Sequence, residues 1–130
     1  MTVTAPTTQD RSVLIVEDEP VLRRLLVTTL RGEGCEVWEA ENGIAGRQQA
    51  LEHHPRLVLL DIIMPTMNGL EMLRQLRKDR WGKTADVVLL TNLGDTGDLE
   101  VARSFGVTDY LIKSDWSLDE LAEQIRERLG

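Results

Sequence analysis

Short, uninterrupted apolar runs recur along the chain, and they constrain the fold more than any other feature of the sequence. Four of them are rich in leucine and β-branched residues and lie at residues 13–16, 57–60, 87–90 and 110–112. Runs of this length are typical of strands buried on both faces, which occur mainly in parallel sheets. A fifth stretch, residues 35–40, alternates apolar and polar residues, so it is predicted to be a strand at an edge of the sheet.

Helical patterns occupy the segments between these runs, with apolar residues at helical spacing. Four of the five segments also begin with a start signal: Pro20, Asn42, Asn68 and the capping box of Ser117 with Glu120. The segment 95–105 has the weakest pattern because Gly97 lies inside it. Strict alternation of strands and helices predicts an α/β domain whose parallel sheet is covered by helices on both faces through right-handed crossovers.

One domain accounts for nearly the whole chain of 130 residues. Residues 1–10 are predicted to be a disordered N-terminal lead-in, which leaves residues 11–130 for the folded domain. The single cysteine, Cys35, excludes an internal disulfide. Neither a signal peptide pattern nor an apolar run long enough to span a membrane is present, so we predict a cytoplasmic protein without a membrane partner.

The net charge of −7 limits the classes of partner. Nucleic-acid binding draws on clustered Lys and Arg, so direct binding by this domain is not expected, although another domain of a longer chain could supply it. The three tryptophans are not spaced as a base-stacking platform, and we expect them to pack within the protein.

Polar residues follow the predicted strands at matching ends. Glu17 and Asp18 come after the first strand, Asp61 after the third, Thr91 after the fourth and Lys113 after the fifth. Because ligands of an open parallel sheet bind beyond the carboxyl ends of its strands, we expect these side chains to converge at one edge. Three carboxylates gathered there repel one another unless they are protonated or neutralised by a cation.

This set of side chains favours phosphoryl transfer. Hard oxygen ligands suit Mg²⁺, which completes its shell with waters and phosphate oxygens, so the acidic residues are predicted to hold that ion. Thr91 and Lys113 could bind the phosphoryl oxygens. Asp61 is predicted to be the nucleophile, since a carboxylate can form an aspartyl phosphate.

The segments VLIVEDEP, LVLLDIIMPTMNGLEML, VVLLTN and DYLIKS carry these residues in order, and they resemble the receiver domain of bacterial two-component response regulators. The likeness covers about residues 12–129. It implies a flavodoxin-like, doubly wound sheet of five parallel strands in the order 2-1-3-4-5 with five helices. It also implies a phosphorylation-dependent signalling switch, which is not an enzyme beyond catalysing its own phosphorylation and dephosphorylation.

The resemblance assigns roles to individual residues. Asp61 matches the phosphoacceptor, Thr91 and Lys113 match the family's hydroxyl and lysine, and Tyr110 matches the switch aromatic that acts with Thr91. The metal ligands that it implies for Mg²⁺ are Glu17, Asp18, Asp61 and the backbone carbonyl of Ile63. The implied partners are a histidine kinase or histidine phosphotransfer protein as donor, and a downstream protein or a missing output domain as target. A phosphorylation-dependent dimer is one form that the output can take.

Three departures from the family pattern are visible. Ser114 follows Lys113 where proline is usual, which leaves the isomer of that peptide bond open. Asn92 replaces a small residue and could crowd the path of Thr91. The side chains expected to flank the phosphoryl group, Ile63 and Leu93, are both apolar, and we expect them to exclude the hydrolytic water and prolong the phosphorylated state.

Two other functions are the alternatives for a chain with these residues. A flavin- or nucleotide-binding protein of the same fold needs a phosphate loop after the first strand, where the carboxylates of Glu17 and Asp18 would repel phosphate. An aspartyl-phosphate phosphatase resembling the haloacid dehalogenase group needs a second Asp at the position of Ile63. The adjacent His53 and His54 could suggest phosphotransfer from histidine, but a surface position at a helix end is the favoured interpretation.

Overall fold

Five strands alternate with five helices in the computed structural model, which describes residues 10–64, 66–92 and 96–130. The strands are β1 (Ser12–Val16), β2 (Glu36–Ala40), β3 (Leu57–Asp61), β4 (Val87–Thr91) and β5 (Tyr110–Ile112). The helices are α1 (Pro20–Gly32), α2 (Gly43–His53), α3 (Gly69–Leu76), α4 (Thr96–Ser104) and α5 (Leu118–Leu129), with short 3₁₀ turns at Gly82–Thr84 and Lys113–Asp115. The predicted lead-in falls almost entirely outside the described residues and stays a prediction.

All neighbouring strands are parallel, and their order is β2-β1-β3-β4-β5. This arrangement confirms the predicted flavodoxin-like sheet. The third and fourth strands extend one residue beyond their apolar runs, so Asp61 and Thr91 are the last residues of β3 and β4. Among the described helices, none has both the length and the apolar character required to cross a bilayer.

The sheet separates two cores because successive side chains of a strand point to opposite faces. In β1, Val13 and Ile15 pack towards α1 and α5, whereas Leu14 and Val16 pack towards α2, α3 and α4. Every residue of β1, β3 and β4 is buried. Burial on both faces explains why these central strands are uninterrupted apolar runs.

Side-chain caps begin several of the helices at the edge of the sheet where the strands end. Asn42 accepts a hydrogen bond from Ala45 N at 2.9 Å, and Asn68 accepts one from Glu71 N at 2.9 Å. Ser117 and Glu120 form the predicted capping box of α5. Caps of this kind contribute about 1 kcal/mol each, so they hold the loops that surround this edge in a defined place.

Candidate functional site

The ends of β1 and β3 bring three carboxylates together, as the sequence predicts. Glu17 directly follows β1, Asp18 comes next, and Asp61 ends β3. One carboxylate oxygen from each of the three lies within 4.8 Å of the others. The Glu17 side chain is fully buried and Asp61 is only 2% exposed, so water screens little of the repulsion between them.

Lys113 brings a positive charge into contact with this cluster. Its Nζ donates a hydrogen bond to Asp61 Oδ2 at 3.2 Å and lies 2.9 Å from Glu17 Oε1 as an ion pair. The lysine begins the 3₁₀ turn directly after β5, and that places its side chain over the ends of β1 and β3. One ammonium therefore contacts two of the three carboxylates, those of Glu17 and Asp61.

The pKa values of Asp61 and Lys113 are both raised in this environment. Burial, followed by the neighbouring Glu17 charge, raises the pKa of Asp61 to about 8, although Lys113 acts in the opposite direction. Burial acts to lower the pKa of Lys113, but its contacts with Glu17 and Asp61 outweigh burial and raise that pKa above the usual value. One further positive charge at the cluster would favour the ionised form of Asp61.

The donor set fits a hard divalent cation. Carboxylate oxygens are the ligands that Mg²⁺ and Ca²⁺ prefer, and Glu17 Oε1 accepts no well-aligned hydrogen bond from a described residue although it is buried. The other oxygen, Oε2, accepts a hydrogen bond from Glu19 N at 2.9 Å, which orients the carboxylate. The cluster thus offers buried anionic oxygens without enough donors of its own.

The N-terminus of α3 packs directly against Asp61. Gly69 N donates to Ile62 O at 2.8 Å, and a Cβ atom at Gly69 would lie 2.2 Å from the Asp61 carbonyl oxygen. Only a residue without a side chain permits this approach. Ile63 N donates to Asp61 Oδ1 at 3.3 Å, while the Ile63 residue is 54% exposed beside the carboxylate.

Thr91 and Tyr110 lie on the two strands at the other side of Asp61. Thr91 ends β4 and is buried, and its hydroxyl donates to the backbone oxygen of Asn92 at 3.2 Å. Tyr110 begins β5 and is 43% exposed. Leu93, the second residue expected to flank the phosphoryl group, lies outside the described residues.

Two residues that hold the loop after β1 in place were not predicted from the sequence. Glu19, which follows the acidic pair, is the N-cap of α1 and accepts from Leu22 N at 2.8 Å. Arg23 donates to the Glu17 backbone oxygen at 2.8 Å and to Glu39 Oε1 at 3.0 Å, so it ties the loop after β1 to β2. The spacing of Pro20 after Glu19 is a signal for the cap, but no sequence pattern reveals the reach of Arg23.

Comparisons with known proteins identify the family to which the chain belongs. The model of the response regulator receiver domain matches residues 13–126. The chain belongs to the response regulator receiver family. It is 35% identical over 117 residues to response regulator ArlR of Staphylococcus saprophyticus, covering 90% of this chain and 51% of that protein. It is also 35% identical over 122 residues to the DNA-binding response regulator MtrA of Mycolicibacterium smegmatis, covering 94% and 52%.

A solved receiver domain is similar over nearly its whole length. It belongs to sensor histidine kinase PA1611 of Pseudomonas aeruginosa PAO1, has a magnesium ion coordinated in its active site cleft, and superposes with a TM-score of 0.79 at 28% identity. The similarity covers 92% of this chain and 98% of that one. This receiver domain spans about half the length of the curated relatives that it matches.

Membership of the family confirms the resemblance inferred from the sequence. Receiver domains are signalling domains of two-component systems rather than classical enzymes, and their role is that of a phosphorylation-dependent switch. Membership of this family therefore argues against the flavin-binding and phosphatase alternatives. The peptide bond between Lys113 and Ser114 is trans, like every other peptide bond in the described ranges.

The histidine pair of the receiver domain lies away from the carboxylates. His53 ends α2, and His54 follows it with a left-handed backbone at φ 48°. His53 stacks on Trp38 with ring centroids 4.2 Å apart, and His54 stacks on Trp81 at 4.5 Å. Both tryptophans serve in packing, as expected, and α2 ends at the edge of the sheet opposite to Asp61.

Proposed function

We propose that this receiver domain accepts a phosphoryl group on Asp61 and signals through the phosphorylated state. The observation that carries the proposal is the meeting of Glu17, Asp18 and Asp61 with Lys113 at the carboxyl ends of three strands. The magnesium ion in the related receiver of the PA1611 kinase supports the same use of the acidic cluster here. Mg²⁺ would be held by the three carboxylates and by the backbone carbonyl of Ile63.

The phosphoryl transfer is a simple displacement at phosphorus. An ionised oxygen of Asp61 attacks, a P–O bond forms, and the P–N bond of a donor phosphohistidine breaks as the leaving imidazole takes up a proton. The bound cation would supply charge neutralisation for the phosphoryl oxygens. Lys113 already contacts Asp61 Oδ2, so its ammonium stabilises negative charge at the acceptor before and after transfer. Thr91 ends the neighbouring strand β4, and its hydroxyl would donate to a phosphoryl oxygen.

The switch acts through Thr91 and Tyr110. When Thr91 binds the phosphoryl group, Tyr110 turns into the space that the threonine side chain leaves, and the surface around α4, β5 and α5 changes. A partly exposed tyrosine at the start of a short edge strand can change its rotamer at low cost in packing. NMR spectra with a beryllofluoride mimic should change from Leu93 through Trp116, and changes confined to neighbours of Asp61 would refute the switch.

The partners follow from the chemistry of the donor and from the relatives. A histidine kinase or a histidine phosphotransfer protein in the cytoplasm supplies the phosphoryl group. The target is a downstream protein or an output domain of a longer chain. ArlR and MtrA are each about twice as long as the matched region, and MtrA is a DNA-binding response regulator. A phosphorylation-dependent dimer would serve such an output.

The phosphorylated state is expected to be long-lived. Hydrolysis requires a water in line with the P–O bond to Asp61, and a polar neighbour would orient that water. The exposed side chain of Ile63 contains only carbon atoms, so it cannot orient a water by hydrogen bonding and would hinder the approach of one to the phosphoryl group. This property suits sustained output or a phosphorelay better than rapid termination of the signal.

The test of the phosphoacceptor is labelling with a small phosphodonor. Incubation with the donor and Mg²⁺ should add one phosphoryl mass to the intact protein, and chelation of Mg²⁺ should prevent the addition. Asp61→Asn should not be labelled, because the amide is not a nucleophile for this reaction. Asp109→Asn serves as a matched control on the same fold, and equal labelling of both variants would refute the assignment.

A further inference from the structure

Positive charge is concentrated in one short segment of this acidic chain. Residues 74–83 contain five of the 15 lysines and arginines and a single carboxylate, Asp79, whereas the whole chain has a net charge of −7. The segment begins in the last turns of α3 and continues into the loop before β4. The proposed phosphorylation site uses none of these residues.

A groove runs between α2 and α3 beside this segment. It has a volume of about 420 Å³ and is lined by Arg47, Leu51, Arg74, Gln75, Lys78 and Asp79. Arg47 and Leu51 belong to α2, Arg74 and Gln75 lie in the last turn of α3, and Lys78 and Asp79 follow that helix. Three cations and one carboxylate therefore border a partly apolar floor.

Two of the three cations are available to a ligand. Arg74 pairs with Glu71, its Nη2 lying 2.6 Å from Oε2, whereas Arg47 and Lys78 are exposed and form no ion pair with a described carboxylate. Asp79 is less available, since its Oδ2 accepts hydrogen bonds from two backbone amides, those of residues 81 and 82, at 2.9 Å each. The groove thus presents net positive charge to solvent.

Arg77 does not contribute to this surface. It is half-buried and donates to three backbone carbonyls, those of Phe105, Gly82 and Ala85, at distances of 2.7 to 2.9 Å. It ties the end of α3 to the loops before β4 and after α4. These hydrogen bonds hold the segment that follows α3, which carries Lys78 and Asp79, against the neighbouring loops.

We infer that this groove docks an acidic segment of a partner protein, with carboxylates facing Arg47 and Lys78 and an apolar side chain covering Leu51. Charge complementarity favours an acidic ligand, and a volume in the low end of the usual range for binding pockets admits a few side chains rather than a folded surface. A long polyanion such as RNA is disfavoured, because beyond the groove it would meet the excess of carboxylates elsewhere on the chain.

The test uses a fluorescein-labelled amphipathic peptide of about twelve residues, with glutamates flanking a leucine stripe. Binding to the unphosphorylated receiver is measured by fluorescence anisotropy at low and at physiological salt. Arg47→Glu and Lys78→Glu should each weaken binding about tenfold, because each replaces an attraction by a repulsion. Arg103→Glu on α4 changes the net charge equally and should leave the affinity within about twofold.

Amide chemical shifts should change along α2 and α3 when the peptide binds, and Arg47→Gln should give an intermediate affinity. Any of three results obtained with the peptide would overturn the inference. They are an absence of binding at low salt, an equal loss in the Arg103→Glu control, and shifts centred on the carboxylate cluster or on β5. A single-stranded RNA of the same length that binds more tightly than the peptide would also overturn it.

Discussion

The close contact between Gly69 and the Asp61 backbone predicts that a side chain at residue 69 will displace the phosphorylation site. In Gly69→Ala the new methyl group would lie 2.2 Å from the Asp61 carbonyl oxygen and 2.9 Å from Ile62 Cα. Ordinary contacts are about 3.5 Å or longer, so α3 and the end of β3 must separate by roughly 1 Å. Overpacking against backbone costs about 1–3 kcal/mol, and we expect the upper part of this range.

The assay is urea unfolding followed by circular dichroism, together with the rate of labelling by a small phosphodonor. Gly82→Ala is the first control, since its methyl group would lie 2.1 Å from Leu76 O, remote from the site. It should lose similar stability but keep the labelling rate, whereas Gly69→Ala should lose both. The second control is Gly97→Ala, whose new methyl group would have no atom within 4 Å outside its own stretch of helix. The higher helix propensity of alanine should raise the free energy of unfolding by about 0.5 kcal/mol. A Gly69→Ala protein that is as stable and as rapidly labelled as the wild type would refute the reasoning.

Three further predictions concern the metal, the pH dependence and the lifetime. Mg²⁺ at about ten times its dissociation constant should stabilise the wild type by about 1.4 kcal/mol in thermal unfolding, and Asp18→Asn should lose most of this gain; an unchanged gain would remove Asp18 from the metal site. Arg128 holds the pKa of Asp109 below its usual value through hydrogen bonds of 2.5 and 2.9 Å. A depressed pKa contributes stability above the unfolded-state pKa, and this contribution is lost as the pH falls through the folded-state pKa. Asp109→Asn should therefore cost about 0.5–1 kcal/mol at neutral pH, and this difference should shrink as the pH falls below the usual pKa of aspartate; a constant difference in urea unfolding would contradict the pairing. Ile63→Asn should accelerate phosphate release after donor removal by roughly tenfold, and an unchanged rate would show that Ile63 does not limit access of water.

Much of the fold could be predicted because the central strands are buried on both faces. An apolar run in this sheet makes up most of a strand, and the caps at Asn42, Asn68 and Ser117 mark the starts of three helices. The site could be predicted for a related reason: in a parallel sheet the residues after successive strands must share one edge. Asp61 and Thr91 come directly after apolar runs in the sequence, so their positions at the ends of β3 and β4 could be predicted.

What escaped prediction depends on contacts between distant segments. The Arg23 side chain links the loop after β1 to β2 through Glu39, and nothing in the local sequence indicates that partner. The need for glycine at residue 69 comes from the backbone of Asp61, which only the packed structure brings near. The basic groove likewise brings Arg47 of α2 close to Lys78, which follows α3. A count of charges along the chain finds the basic segment with Lys78 but does not indicate that Arg47 lies beside it.

The measurement that tests the central claim most directly is chemical mapping of the phosphorylated wild-type protein. An aspartyl phosphate is reduced by borohydride to homoserine, and tandem mass spectrometry of the peptide containing β3 then identifies the modified residue. The account predicts homoserine at position 61 alone, formed only when Mg²⁺ was present during labelling. Homoserine at Asp18, or an intact phosphoryl group on His53 or His54 with Asp61 unmodified, would contradict it.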